Sequence, residues 1–165
     1  WITAFAAESN ISSFMAIVLA DLLELKHLDL SLRPRTAENA FRELIGLLAA
    51  NEQVAQPENF LQQVLERERA GPSIIEHGVA FPHARTELVD KIVLAIGRSR
   101  AGIPLGKDGD RARLIFLIGV PQRLVADYLV CVGALARIAK DDVSRQQLLA
   151  AANAEEFLAI LRGDP

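Results

Sequence analysis

The spacing of hydrophobic positions changes several times along this chain, and each change marks an element. Phe14 to Leu25 carries apolar residues at helical spacing, interrupted by Asp21 and Glu24, and predicts an amphipathic helix capped by Ser12 or Ser13. From His27 to Leu32 the period drops to two. Leu28, Leu30 and Leu32 alternate with His27, Asp29 and Ser31, the pattern of a half-buried strand that leaves His27 solvated. Arg33-Pro34 breaks this strand, and Thr36 stands where it can cap a helix with the stripe Ala40, Phe41, Leu44, Leu47 and Leu48. Pro57 opens another helix, with Phe60, Leu61, Val64 and Leu65 facing inward, and Gly71-Pro72 ends it. At about 100° per residue, Arg67 falls at the edge of that inward face and Glu68 near its middle, where a charge needs a partner.

Ile92 to Ile96 and Leu114 to Val120 are nearly unbroken apolar runs rich in β-branched residues, as central strands covered on both faces are. Gly102 to Asp110 between them is turn chemistry and reads as a hairpin connection; it lacks the spacer and the Ser/Thr after lysine that a phosphate loop requires. Leu124, Val125, Tyr128, Leu129, Val132, Leu135 and Ala136 return to helical spacing, and two short helices, Asp142 to Ala151 and Ala154 to Leu161, close the chain. Strands and helices therefore alternate, which gives an α/β fold with a sheet between helical layers. Trp1 to Ser13 has no clear period and reads as a linker or upstream remnant, and the start at Trp1 rather than Met points to a piece of a longer protein.

Composition narrows the classes. Hydrophobic residues make up 51% of the chain but aromatic ones only 5%, so the core is built of Leu, Ile, Val and Ala. A net charge of -3 argues against a nucleic-acid partner, which calls for a basic face. A single cysteine allows no internal disulfide and fits a reducing compartment, so a cytoplasmic location is expected. Cys131 lies among apolar helix neighbours and reads as a packed thiol. No stretch is long and apolar enough to insert into a bilayer, and no Gly-x-Ser-x-Gly elbow supports serine hydrolase chemistry.

The chemistry concentrates in Arg67 to Arg85. His83 follows Val79-Ala80-Phe81-Pro82, where a buried strand emerges; Pro82, lacking an N–H, is expected to end the ladder and restrict how His83 is presented. Arg67 closes the preceding helix and Arg85 follows two residues after His83, so two guanidinium groups can converge on one imidazole. That set suits a phosphoryl group: imidazole as covalent acceptor, guanidinium for the anionic oxygens. A metal site shared by His77 and His83 lacks a third ligand cluster and any HxxxH spacing.

Arg67-Glu68 followed by Gly78-Val79-Ala80-Phe81-Pro82-His83 resembles the signature of the type 2 EIIA domains (fructose, mannitol and nitrogen-regulatory) of the phosphoenolpyruvate-dependent phosphotransferase system. The similarity runs from about Leu19 to Leu161, through LVDKIVLAIGRSRAGIPLG, RARLIFLIGVP and LARIAKD. It implies a three-layer α/β/α sandwich, a central mixed sheet flanked by helices, over residues 19–165, with 1–18 as an N-terminal extension or linker. It also implies that His83 accepts a phosphoryl group from an HPr-like phosphocarrier, with Arg67 beside it, Arg85 as a second stabiliser, and no metal or organic cofactor. The next partner is an EIIB domain, or a regulated transporter or regulator. The chain departs from the family at two places. Ile74, Glu76 and His77 stand in a loop that is usually glycine-rich, and Tyr128 takes the position of the family's second histidine. A rival reading, motivated by these departures and by the non-Met start, is a non-catalytic sensor or interaction module of the same fold attached to a transporter or regulator.

Overall fold

The structure is a computed structural model that describes residues 22–106 and 108–163. The expected extension over 1–18, and all of the expected Phe14–Leu25 helix before Leu22, lie outside the described residues. A six-stranded mixed sheet forms the centre. Its strands are β1 (Leu28–Asp29), β2 (Ile74–Ile75), β3 (Val79–Ala80), β4 (His83–Arg85), β5 (Val93–Pro104) and β6 (Arg111–Val120). The order is β1-β5-β6-β3-β2, with β4 also paired to β6. The hairpin β5–β6 is antiparallel, β1 runs parallel to β5, β3 and β4 run parallel to β6, and β2 turns back antiparallel on β3.

Alternation along β5 and β6 sends side chains to two separate cores. Val93, Ala95, Ile115 and Leu117 pack with α1 (Ala37–Ala50) and α2 (Pro57–Ala70). Leu94, Ile96, Leu114, Phe116 and Ile118 pack with α3 (Val125–Lys140), α4 (Asp142–Ala150) and α5 (Ala154–Arg162). The unbroken apolar runs follow from this: each strand is roofed on both faces, so no position is free to be polar. Helix starts behave as the sequence implies. Thr36 accepts the Asn39 N–H at its side chain, and Pro57 occupies the first turn of α2.

Several expectations are corrected. The strand expected over His27 to Leu32 is only Leu28–Asp29; Leu25–His27 is a 3-10 turn, and Asp29 Oδ1 accepts the Ser31 N–H at 2.9 Å, which turns the chain before a longer strand can form. His27 is buried rather than solvated, because the 3-10 turn carries its ring inward. Among the described residues its Nε2 has no hydrogen-bond partner, and burial lowers its pKa below the usual histidine value. Leu129, counted in the stripe of α3, is 63% exposed. The two central strands also run further than their apolar stretches, to Pro104 and from Arg111, since their far ends carry the exposed Arg100, Arg111 and Arg113.

Arg98 ties the layers together at that far end. Its Nε donates to the Leu30 carbonyl at 3.1 Å, and its Nη1 donates to the carbonyls of Leu148 at 2.9 Å and Ala151 at 2.8 Å, the C-terminal end of α4. A guanidinium here satisfies helix-end carbonyls that have no intrahelical partner. Replacing Arg98 with Met keeps most of the side-chain volume and strands those carbonyls. The expected loss is about 2–4 kcal/mol of unfolding free energy in a urea titration; a loss below about 0.5 kcal/mol would show that the guanidinium is incidental.

Candidate functional site

Val79 to Arg85 is one strand with a proline in it. Val79 pairs with Leu114 and Ala80 with Ile115; beyond Pro82, His83 pairs with Ile118 and Ala84 with Gly119, in the same register. Pro82 therefore interrupts the ladder by one missing donor and does not end it, as its carbonyl accepts the Ile118 N–H at 2.9 Å. The period of two sends Ala80 and Ala84 into the α1–α2 core and Phe81 into the α3 core. His83 shares the Phe81 face and meets the Tyr128 ring of α3, with centroids 5.1 Å apart and planes 36° apart. Among the described residues β4 pairs only with β6, which leaves its other edge open there. The end of α2 reaches this edge, and Gln63, Glu66 and Arg67 of α2 line one open depression with His83, Ala84 and Arg85. Gly119 permits that approach: a Cβ there would stand 3.0 Å from the Phe60 ring of α2 and 2.9 Å from Val93.

The imidazole is oriented by backbone. His83 Nδ1 lies 3.0 Å from the Phe81 carbonyl oxygen. A carbonyl can only accept, so Nδ1 carries the proton and the neutral ring keeps its lone pair on Nε2. Nε2 makes no hydrogen bond among the described residues and is not a buried unpaired atom, so it is open to the depression. Burial is the chief reason the His83 pKa falls below the usual histidine value. The Phe81 carbonyl opposes that shift, the Arg67 charge adds to it, Glu68 opposes it and Arg85 adds to it.

Three hydrogen bonds connect this ring to α2. Glu68 Oε1 accepts the Ser73 N–H at 3.0 Å, the Ser73 carbonyl accepts the Phe81 N–H at 3.1 Å, and the Phe81 carbonyl takes the His83 Nδ1–H. Glu68 thus finds the partner its position demanded in a loop amide. Arg67 Nη1 donates to the Gly71 carbonyl at 3.2 Å, which holds the guanidinium at the end of α2.

The expected site residues come together. Arg67 and Arg85 both depress the His83 pKa, and both also act on Tyr128, whose phenol is pushed up mainly by burial and pulled down by the two arginines. The phenol therefore stays neutral at pH 7. His77 is not part of this group. It lies with Asp110 and Arg111 along a different depression, 4.0 Å from a Glu76 carboxylate oxygen, in a left-handed conformation with φ 67°. Cys131 is buried, and burial pushes its thiol up to about 11, far from a thiolate. Sequence reasoning missed Gln63, whose buried Oε1 has no partner among the described residues, and Glu66. Both lie within one helical turn of Arg67 on the same helix, which is the signal that could have named them.

The family described as phosphoenolpyruvate-dependent sugar phosphotransferase system, EIIA 2, matches residues 21–163. The chain is 30% identical over 144 residues to the PTS system fructose-specific EIIA component of Haloferax volcanii, covering 87% of this chain and 94% of that protein. It also matches the fructose-specific EIIABC component of Bacillus subtilis, of which it spans 23%. The crystal structure of nitrogen regulatory protein IIA-Ntr from Neisseria meningitidis superposes with a TM-score of 0.75 at 28% identity, covering 86% of this chain and 97% of that one. Enzyme IIAMTL of Escherichia coli, solved in complex with phosphorylated enzyme IIBMTL, has a TM-score of 0.74 at 23% identity, with 86% and 97% covered, and shares the fold. With both central strands, the interrupted β3–β4 segment and all five described helices inside the matched span, this chain is an EIIA-type domain and belongs to the EIIA type 2 family of the sugar phosphotransferase system.

Proposed function

We propose that His83 is the phosphoryl acceptor of this domain and that an HPr-like phosphocarrier is the donor. The observation that carries the reading is the Nδ1–H bond to the Phe81 carbonyl, which leaves the Nε2 lone pair open beside two guanidinium groups. In the transfer, Nε2 attacks the donor phosphohistidine's phosphorus, the new N–P bond forms as the old one breaks, and the donor imidazole keeps the electron pair. The phosphoryl group carries its charge on three oxygens, so catalysis rests on placement and on cations near those oxygens. Arg67 supplies one from the rigid end of a helix and Arg85 a second from the strand edge. Neither a metal nor an organic cofactor enters the step. The domain does this work in the cytoplasm, where phosphocarriers operate; among the described residues no helix is long and apolar enough to cross a membrane.

Onward transfer is a separate question. A site that passes the group on must stabilise the transition state over the phosphohistidine itself. An imidazole at the position of Tyr128 can change its charge during transfer, whereas the phenol stays neutral and offers a phosphoryl oxygen only a neutral hydrogen-bond donor. We therefore read the domain as a receiver that holds its phosphoryl group and signals through altered contacts with a partner, an EIIB domain or a regulated transporter or regulator. The E. coli complex of a like-folded IIA protein with a phosphorylated IIB protein supports the first of these partners.

The acceptor role is tested with phosphoenolpyruvate, enzyme I and HPr by intact mass. The native chain gains one phosphate and His83→Ala gains none. Protonating Nε2 removes its lone pair, and the His83 pKa lies below the ordinary 6.5, so the acid limb of the phosphorylation rate falls below pH 6.5. Arg67→Ala removes a cation that holds this pKa down, so the limb moves up in pH; the rate in the plateau falls by roughly a hundredfold. Arg67→Lys recovers only part, because an ammonium cannot reproduce the planar fork. Rate and melting temperature falling together would make Arg67 a structural residue instead.

For retention, the phosphorylated domain is freed of donor and mixed with candidate EIIB domains. The native protein keeps its phosphate and Tyr128→His releases it faster. Rapid transfer by the native protein, unchanged by the substitution, would rule the receiver reading out.

A further inference from the structure

The far end of the β5–β6 hairpin carries a second group of cations. The ladder slips register between Arg98 and Ile103, and the buried Ser99 accepts the Gly102 N–H at its Oγ, 3.1 Å away. Gly102 has φ +79°, and a Cβ on it would stand 2.7 Å from Arg111 Cβ, so the bulge can close only with glycine here. A bulge re-aims the side chains beside it. This one brings Arg100 and Arg111 to one cavity, and Arg111 is held along its wall by a 3.2 Å bond from Nη1 to the Gly102 carbonyl. The segment after β1 joins them. Leu32 N–H bonds the Arg98 carbonyl at 2.9 Å, and Arg33 and Arg35 complete the lining of a cavity of about 450 Å³.

Four arginines thus line one cavity, and no acidic residue is among the residues that line it. None of the four takes part in an ion pair among the described residues. Of the acidic groups on the neighbouring segments, Asp29 is engaged by the Ser31 N–H at 2.9 Å and Glu38 by Arg42 at 3.3 Å, while Asp110, next to Arg111, lines a separate depression. In a chain of net charge -3 such a grouping does not follow from composition, and like charges gathered without counter-charge repel.

We propose that this cavity is a binding site for a soluble ligand carrying two or more adjacent phosphate groups. Guanidinium is the donor that matches phosphate oxygens two at a time, and one phosphate, with at most two negative charges, cannot balance four of them. A linked pair or triplet of phosphates can, and it fits a cavity of this volume. The site is distinct from His83. Arg111 and Ile118, the latter paired with His83, are seven residues apart on β6, roughly 23 Å at about 3.3 Å per residue. The two sites lie at opposite ends of the sheet.

The test is calorimetric titration of the full chain with inorganic tripolyphosphate, with sulfate as the single-anion comparison. One saturable site is expected for tripolyphosphate, weaker or absent for sulfate, with affinity falling as salt rises. The double variant Arg33→Ala/Arg35→Ala, and separately Arg100→Gln, weaken binding by roughly tenfold or more. Lys91→Ala, which removes a cation elsewhere, leaves it unchanged. These arginines are exposed, and melting temperatures equal to the native one confirm that the variants fold. In ¹H–¹⁵N spectra of the native chain, tripolyphosphate shifts amides of 32–35 and 99–111 and spares His83. Lack of saturation, equal affinity in the double variant, an equal loss in Lys91→Ala, or binding only to vesicles of anionic phospholipid would overturn the proposal.

Discussion

The bond from His83 Nδ1 to the Phe81 carbonyl is the constraint on which the site depends. It fixes the ring's orientation and its tautomer with a neutral partner that belongs to the same strand. A carboxylate in that place would hold the ring just as well but would raise its pKa and favour the charged form, which has no lone pair to offer. Here burial and the two arginines outweigh the carbonyl, and the ring is neutral near pH 7. The carbonyl is itself held by the strand. Its residue donates to Ser73, Ser73 is tied to Glu68, and on the other side the Pro82 carbonyl is paired to Ile118. Proline serves this arrangement by fixing φ where the strand must deliver the ring, at the cost of one donor.

Around that segment the fold acts as a rigid mount. Arg67 reaches the site because Phe60, Leu61 and Val64 seat α2 against the sheet, and Gly119 lets the Phe60 ring come close. Tyr128 reaches it from the opposite layer, carried by a helix whose Cys131, Leu135 and Ala139 fill the second core. Two helical layers thus deliver side chains to one open strand edge. That edge is where a partner protein can approach, since among the described residues β4 has a neighbour on one side only.

Much of this was legible in the sequence, for identifiable reasons. Two-sided burial erases alternation, so Ile92 to Ile96 and Leu114 to Val120 read as central strands. Helix starts were marked by Thr36 and Pro57, and the proline-histidine pair marked the segment that carries the candidate site. The failures are equally physical. His27 was read from a period of two that a 3-10 turn and an Asp29 turn override, so its ring goes inward. The far halves of β5 and β6 escaped the apolar pattern because arginines occupy their outward positions. The Phe81 carbonyl, a backbone atom, leaves no trace in residue identity. The arginine cavity was invisible for another reason. Arg33 and Arg35 come from one end of the chain and Arg100 and Arg111 from the hairpin, and only the pairing of β1 with β5 makes them neighbours.

The central claim is the protonation state of one ring, and nitrogen chemical shifts of the His83 imidazole at pH 7 report it directly. The account predicts a neutral ring with the proton on Nδ1 and an unprotonated Nε2, collapsing to a free tautomeric mixture when the chain is unfolded. A ring protonated on Nε2, or a charged imidazolium at that pH, would contradict it.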